Sequence, residues 1–247
     1  MGYKEVRYAY VTPRGYRAGF TIRLETNDHN TVWSSCNEDE YGLRGRLFSG
    51  VAFDIGAYIG SVAVALAMDN PDLTVLAVEP VEDNARLIWL NARDNEVGER
   101  IRVVHGAAGP PGVSETKLHS RFRGSEIATH HAFVGTTEVG NSEVADAWRL
   151  GTDHDITTVP CFDFGQLVEM AGAPCLVKID CEGAEFGILG HPLVADVPLI
   201  IGEWHNIPYA DRHRSGRADL VAVLPNHDVT FSGLSPDGPE GFVAVRK

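Results

Sequence analysis

Cations are scarce in this chain. Lys and Arg number 21 against 34 Asp and Glu, which leaves a formal charge of −13 over 247 residues. Nucleic acid and anionic membrane surfaces both select for basic patches, so neither is expected as the main partner. Long apolar runs are also missing, and nothing approaches the ~18 residues that a membrane-spanning helix needs. The opening Met1-Gly-Tyr-Lys-Glu-Val-Arg7 has no apolar signal core. Cys36, Cys161, Cys175 and Cys181 form neither a CxxC pair nor a dense framework, which points to four reduced thiols in a cytoplasmic protein. A zinc site built on them would need histidines from elsewhere. No internal repeat and no low-complexity tract interrupts the sequence.

What is present is ordinary globular material, 44% apolar and 22% charged, in a length that suits one large α/β domain. Residues 1–50 are mixed and read as a strand-plus-helix cap. From Val51 the pattern becomes regular. Val51–Ile55, Leu73–Val78, Ile101–His105, Leu176–Ile179 and Leu199–Gly202 are short apolar runs, as expected of strands covered on both faces of a parallel sheet. Between them lie helical stretches: Ser61–Met68, apolar nearly all round, then Val81–Asn95, Asp163–Met170, Glu182–Leu189 and Asp211–Leu224. Thr157–Pro160 resumes the regular pattern after a long irregular stretch, and Asp228–Ser232 with Gly241–Arg246 reads as a terminal hairpin. The alternation gives one doubly wound α/β domain over 51–247. Residues 113–155, polar and carrying His119, His130, His131 and His154, are longer than an ordinary connection and read as a lid or substrate-binding insertion.

The most informative segment is Asp54-Ile-Gly56-Ala-Tyr-Ile-Gly60 at the end of the first regular strand, with Glu79 ending the next. Glycines that admit close backbone approach, plus an acid about 20 residues on, make a nucleoside pocket in an open α/β sheet. The dinucleotide pattern G-x-G-x-x-G is absent, and an acid precedes the first glycine where a pyrophosphate would be repelled. Both facts favour a nucleoside with a cationic or zwitterionic tail, S-adenosylmethionine. The plain alternative is that Gly56 and Gly60 only shape a tight strand-to-helix turn.

Ligands of such sheets sit at the carboxyl ends of the strands, which here carry Asp54, Glu79, His105, Asp180, Glu182, Glu203 and His205. Glu79 offers two carboxylate oxygens to two vicinal ribose hydroxyls. Asp54 is expected to order the turn through backbone N–H groups and to face the methionine ammonium. Asn84 suits either a helix cap or a cofactor contact. Asp180, Glu182 and His205 are the candidates for chemistry, with His205 as general base. Acids at a helix start are also favoured by the helix dipole alone, which applies to Glu182 and Glu185. Asp180 with Glu203 or Asn206 could offer oxygens to a divalent ion. No third ligand is evident, and no metal is assigned.

Three stretches carry a resemblance: Phe53-Asp-Ile-Gly-Ala-Tyr-Ile-Gly60, Val78-Glu-Pro-Val-Glu-Asp-Asn84 with Leu87 and Asn91, and Val177-Lys-Ile-Asp-Cys-Glu-Gly-Ala-Glu185 with Leu189-Gly190. Across about Val51 to Glu203 the chain resembles the FkbM family of class I S-adenosylmethionine-dependent methyltransferases. Tyr58 stands where that family usually carries Asn. The resemblance implies a Rossmann-like, mostly parallel seven-stranded sheet with a terminal antiparallel hairpin. It implies S-adenosylmethionine as cofactor, held by Asp54, Gly56, Ala57, Tyr58, Gly60, Glu79, Pro80 and Asn84. The acceptor it implies is a small molecule, a hydroxyl of a sugar or natural product, with carboxylate or amine acceptors as alternatives. A nicotinamide oxidoreductase or a non-catalytic cofactor-binding protein is the competing class, and a homodimer is left open.

Overall fold

The computed structural model describes residues 3–120, 133–135, 155–181, 183–205, 216–232 and 240–247. Its centre is a seven-stranded sheet in the order β12-β13-β11-β10-β3-β4-β5. The parallel strands are β3 (Gly50–Ile55), β4 (Leu73–Glu79), β5 (Ile101–His105), β10 (Leu176–Ile179) and β11 (Leu199–Trp204). The edge hairpin of β12 (His227–Ser232) and β13 (Glu240–Arg246) joins antiparallel through β13 to β11. The chain runs outward from β3 through β4 to β5, then returns to lay β10 on the opposite side of β3. The crevice where the strand order reverses therefore opens above β3 and β10, the place such sheets use for ligands.

Both faces are covered. Helices α2 (Ser61–Asp69) and α3 (Glu82–Asp94) lie on one. On the other are α4 (Phe164–Ala171), α5 (Glu185–Leu189) and α6 (Arg217–Val223). All of α2 except Met68 is buried. The reason is a third layer, since Tyr10, Phe20, Ile22 and Val32 from the first fifty residues join Ala52, Ala63, Val64 and Leu87 in a single apolar cluster. A helix sandwiched between a sheet and a further layer has no polar face to offer.

That third layer corrects the expected strand-plus-helix cap. It is a two-stranded antiparallel sheet, β1 (Glu5–Val11) and β2 (Arg17–Arg23), followed by the short helix α1 (Asp28–Val32) and a π-turn over Trp33–Glu38. Strand β2 would expose a hydrogen-bonding edge, and α3 fills it with side-chain amides. Asn95 takes the Gly19 N–H at 2.8 Å and donates to its carbonyl at 2.7 Å, and Asn91 takes the Thr21 N–H at 2.7 Å. Asn91 also donates to the Ile59 carbonyl at 2.9 Å, tying the hairpin to the glycine turn.

The described parts of 113–155 carry strands, where an irregular stretch was expected. Strands β6 (Ala107–Ala108), β7 (Glu115–Ser120), β8 (Phe133–Gly135) and β9 (Asp155–Phe162) make a second sheet in the order β6-β9-β7-β8. Leu118, Val159, Cys161, Ala107 and Val81 form its small core. One apolar residue in the six of β7 is too little periodicity to announce a strand. His130, His131, His154 and Asn206 lie outside the described residues, as does the start of the helix expected from Asp211. Among the described residues no helix is long and apolar enough to cross a membrane.

Candidate active site

The turn after β3 is shaped from both neighbouring strands. The N–H groups of Gly56 and Ala57 both donate to the Val78 carbonyl of β4, at 3.0 and 3.1 Å. Gly56 has φ +75°, and a Cβ there would sit 1.7 Å from the Asp180 carbonyl oxygen at the end of β10. Only glycine meets both demands. Gly60 at φ +86° caps α2 and leans on Ile88. Tyr58 between them holds φ 52°, sparsely populated by residues with a Cβ and common at functional turns.

Beneath the turn lies a buried ion pair. Lys178 and Asp54 face each other across the β10–β3 register, 3% and 0% exposed, with Nζ 3.3 Å from Oδ1. The same ammonium donates to the Gly56 carbonyl at 2.7 Å and stands 3.9 Å from Asp180 Oδ2. Burial opposes its charge, but Asp54 and Asp180 outweigh that and hold the lysine above its usual range. Asp54 is pushed up by the same burial, against the pull of Lys178. Its other oxygen takes the Ala63 N–H at 3.0 Å. Asp54, fully buried, therefore takes an N–H of α2 rather than of the turn, and reaches the turn only through the Lys178 ammonium on the Gly56 carbonyl.

Glu79 ends β4 among neutral donors. Oε1 accepts from the Val81 N–H at 3.0 Å and Asn84 Nδ2 at 3.1 Å, and Oε2 from the Tyr58 N–H at 2.9 Å. A carboxylate has about four acceptor positions, so one remains on Oε2 among the described residues, where two open oxygens were expected. Burial pushes this carboxyl up to about 7, against the pull of its three hydrogen-bond donors and of the more distant Lys178. Asn84 caps nothing: the residue before α3 is Val81, and the Asn84 amide is spent on Glu79 and Arg23. Pro80 presents its carbonyl to His105 Nε2 at 3.1 Å, which places His105 outside the crevice chemistry.

At the far side of the crevice the ends of β10 and β11 bring Asp180, Glu203 and His205 together, with donor atoms within 4.8 Å of one another. His205 Nε2 lies 3.8 Å from Asp180 Oδ1 and 3.9 Å from Glu203 Oε2. Its Nδ1 is 2.9 Å from Glu185 Oε1, which also takes the N–H groups of Cys181 and Gly183 at 3.2 Å each. An oxygen receiving two backbone donors is an acceptor, so Nδ1 of the imidazole carries a proton and Nε2 faces the two other acids. Burial and the charge of Asp180 push Glu203 up to about 7, against the pull of His205. Tyr41 donates to Asp180 Oδ2 at 3.1 Å.

The fold thus brings Asp180 and His205, two separate candidates from the sequence, to one place, while Glu182 lies outside the described residues. Helix α5 starts at Glu185, so Asp180 precedes it rather than opening it. Tyr41 was not singled out from sequence, and Lys178 and Glu185 stood out only within the Val177–Glu185 stretch, with no role assigned beyond a helix-start acid for Glu185. Lys178 had a legible signal, a lysine inside a strand apolar at every other position. Tyr41 had none, because its partner lies far along the chain.

Comparison with known proteins completes the picture. The family described as the methyltransferase FkbM domain matches residues 54–230. Among solved structures, precorrin-6Y C5,15-methyltransferase from Geobacter metallireducens is similar at 13% identity and TM-score 0.42, over 82% of this chain and 83% of that one. An O-methyltransferase from Bacillus cereus in complex with SAH is similar at 15% identity and TM-score 0.42, over 80% and 74%. No curated protein matches the chain.

Proposed function

Because the chain belongs to the FkbM methyltransferase family, we propose that it methylates a hydroxyl of a small molecule, such as a sugar or natural-product scaffold, with His205 as general base. It is an S-adenosylmethionine-dependent methyltransferase, which removes the nicotinamide reading. The residues fit that cofactor: a turn whose glycines bring backbone to the crevice, and a buried carboxylate with one acceptor position left for a ribose hydroxyl. S-adenosylmethionine supplies an electrophilic methyl on sulfur. The protein's part is alignment and the acceptor's proton.

The observation that carries the proposal is the contact of His205 with Glu185. It fixes a proton on Nδ1, so that in the neutral imidazole the basic nitrogen is Nε2, on the side of Asp180 and Glu203. An acceptor hydroxyl placed there gives its proton to Nε2 as the oxygen attacks in line. Asp180 and Glu203 then stabilise the imidazolium. Those two carboxylates also disfavour an anionic acceptor, which argues against a carboxylate as the methylated group. Incubation with the methyl donor and a panel of sugars and polyhydroxylated aglycones, read by mass spectrometry, should show a methyl ether. Failure to bind S-adenosylmethionine or S-adenosylhomocysteine by calorimetry would sink the reading.

A second reading rests on the spacing of the same three groups, which would suit a divalent cation. Dialysis against a chelator distinguishes the two. Full activity after chelation keeps His205 as base, whereas loss restored by magnesium or manganese assigns it as a ligand.

Glu79 gives a pH dependence. It must be ionised to accept a ribose hydroxyl, and its carboxyl titrates at about 7. Affinity for S-adenosylhomocysteine is therefore full above that pH and falls as the pH drops through it, levelling off about tenfold lower, the worth of one hydrogen bond to a charged acceptor. Calorimetry between pH 5.5 and 8.5 reads this, and Glu79→Gln should bind weakly with a flat profile.

A further inference from the structure

Four residues close a ring with Glu79, and two of them come from the N-terminal layer, upstream of the residues that match the family. Arg23, the last residue of β2, grips Asp28 with Nε to Oδ2 at 2.9 Å and Nη2 to Oδ1 at 3.0 Å. The second hydrogen of Nη2 goes to Asn84 Oδ1 at 2.7 Å, and Asn84 Nδ2 goes to Glu79 Oε1 at 3.1 Å. Glu79 Oε2 takes the Tyr58 N–H, and the Tyr58 hydroxyl returns to Asp28 Oδ1. Arg23, Asp28, Asn84 and Glu79 are all buried.

The order of donors and acceptors gives the ring its meaning. A guanidinium only donates, and an ionised carboxylate only accepts. Asn84 between them has one allowed orientation, carbonyl to Arg23 and amide nitrogen to Glu79. Arg23 therefore sets the amide, and the amide sets which oxygen of Glu79 is filled. Asp28 does the same on the other side, since its bond to the Tyr58 hydroxyl anchors the side chain of the residue whose N–H fills Oε2.

A fold element alone does not explain this arrangement. Burying an Arg–Asp pair is seldom better for stability than burying apolar residues of the same volume. Here the guanidinium also keeps one nitrogen, Nη1, buried without an acceptor among the described residues. A residue retained at that cost has a use beyond packing.

We propose that the Arg23–Asp28 pair of the N-terminal layer positions Glu79 for the ribose, so that the hairpin is a working part of the cofactor pocket. This rests on the reading that Glu79 receives a ribose hydroxyl. Arg23 and Asp28 are positioning residues: they act on the nucleoside through Asn84 and Tyr58.

The test compares the affinity of the full chain for S-adenosylhomocysteine and for its 2′-deoxy and 3′-deoxy forms, measured by calorimetry. In the native protein one of the two deletions should cost about tenfold, the loss of one hydrogen bond to a charged acceptor. Arg23→Lys keeps the charge on Asp28 paired but has no fork to reach Asn84 as well. It should bind S-adenosylhomocysteine about tenfold more weakly and lose most of the discrimination between it and the deoxy form. Asn84→Leu removes the adaptor, leaves Arg23 paired with Asp28, and should do the same, which covers the case in which Arg23→Lys does not fold. Variants that are folded by circular dichroism and discriminate as the native protein does would overturn the proposal while leaving the role of Glu79 standing. Indifference of the native protein to both deletions would overturn the role of Glu79 and this proposal with it.

Discussion

Replacing Lys178 with methionine should destabilise the protein by about 3–5 kcal/mol, the usual result of removing one partner from a buried pair. The volume is nearly conserved, so packing contributes little. What remains is Asp54, fully buried, with its charge opposed by nothing closer than the Ala63 N–H. Two further losses follow from the geometry. The Gly56 carbonyl loses the donor that fixes the turn, and Asp180 loses its nearest cation. In a thermal scan the midpoint should fall by on the order of 10 °C for a chain of this length. The double variant Lys178→Met with Asp54→Asn should recover part of that, because no uncompensated charge is then buried. A single variant within ~1 kcal/mol of the native protein would show that the pair is not the lock beneath the turn. Cofactor affinity should fall in the single and stay low in the double, since neither restores the bond to Gly56.

This lysine also shows where sequence reasoning stops. The strands were legible because a strand covered on both faces must be apolar along its length, and Val51–Ile55 and Leu176–Ile179 are nearly so. The glycine turn was legible because positive φ and close approach leave few residue choices. Glu79 was legible as the acid at the end of the next strand. Lys178 interrupts its apolar run in plain view, yet its meaning depends on the strand order that sets it opposite Asp54, and order is not written locally. The pairing of His205 with Glu185 is hidden for the same reason, as two elements must pack before the contact exists. The N-terminal layer was hardest. Strand β1 is mostly exposed, so it has no strong alternation to read, and the value of Arg23 lies wholly in partners contributed by distant segments. The second sheet escaped because β7 and β9 bury only one or two apolar residues each.

The acceptor end makes the other large prediction. His205→Ala should lower kcat by about 10²–10⁴, the usual contribution of a positioned general base, and leave the affinity for S-adenosylhomocysteine within about twofold, since the ribose contact proposed for Glu79 lies across the crevice. The pair with Glu185 sharpens the test. In Glu185→Ala the Nδ1 donor loses its acceptor, so nothing holds the imidazole with its proton on Nδ1 and Nε2 toward the acceptor. That variant should lose most of the activity although His205 is intact, and a structural role for Glu185 alone would not tie its loss to that of His205. The double variant should be no worse than His205→Ala, because the two residues act as one unit. Additive losses would separate them and return Glu185 to its contacts with Cys181 and Gly183. Glu203 supplies a further distinction. Its carboxyl titrates at about 7, so protonation below that pH removes a charge that would stabilise the imidazolium. In the native protein kcat should fall as the pH drops through 7, and Glu203→Gln should remove that limb at the expense of the maximum rate. An unchanged limb in Glu203→Gln would assign the pH dependence to His205 itself, and a chelator-sensitive rate in either variant would replace the base by a bound cation.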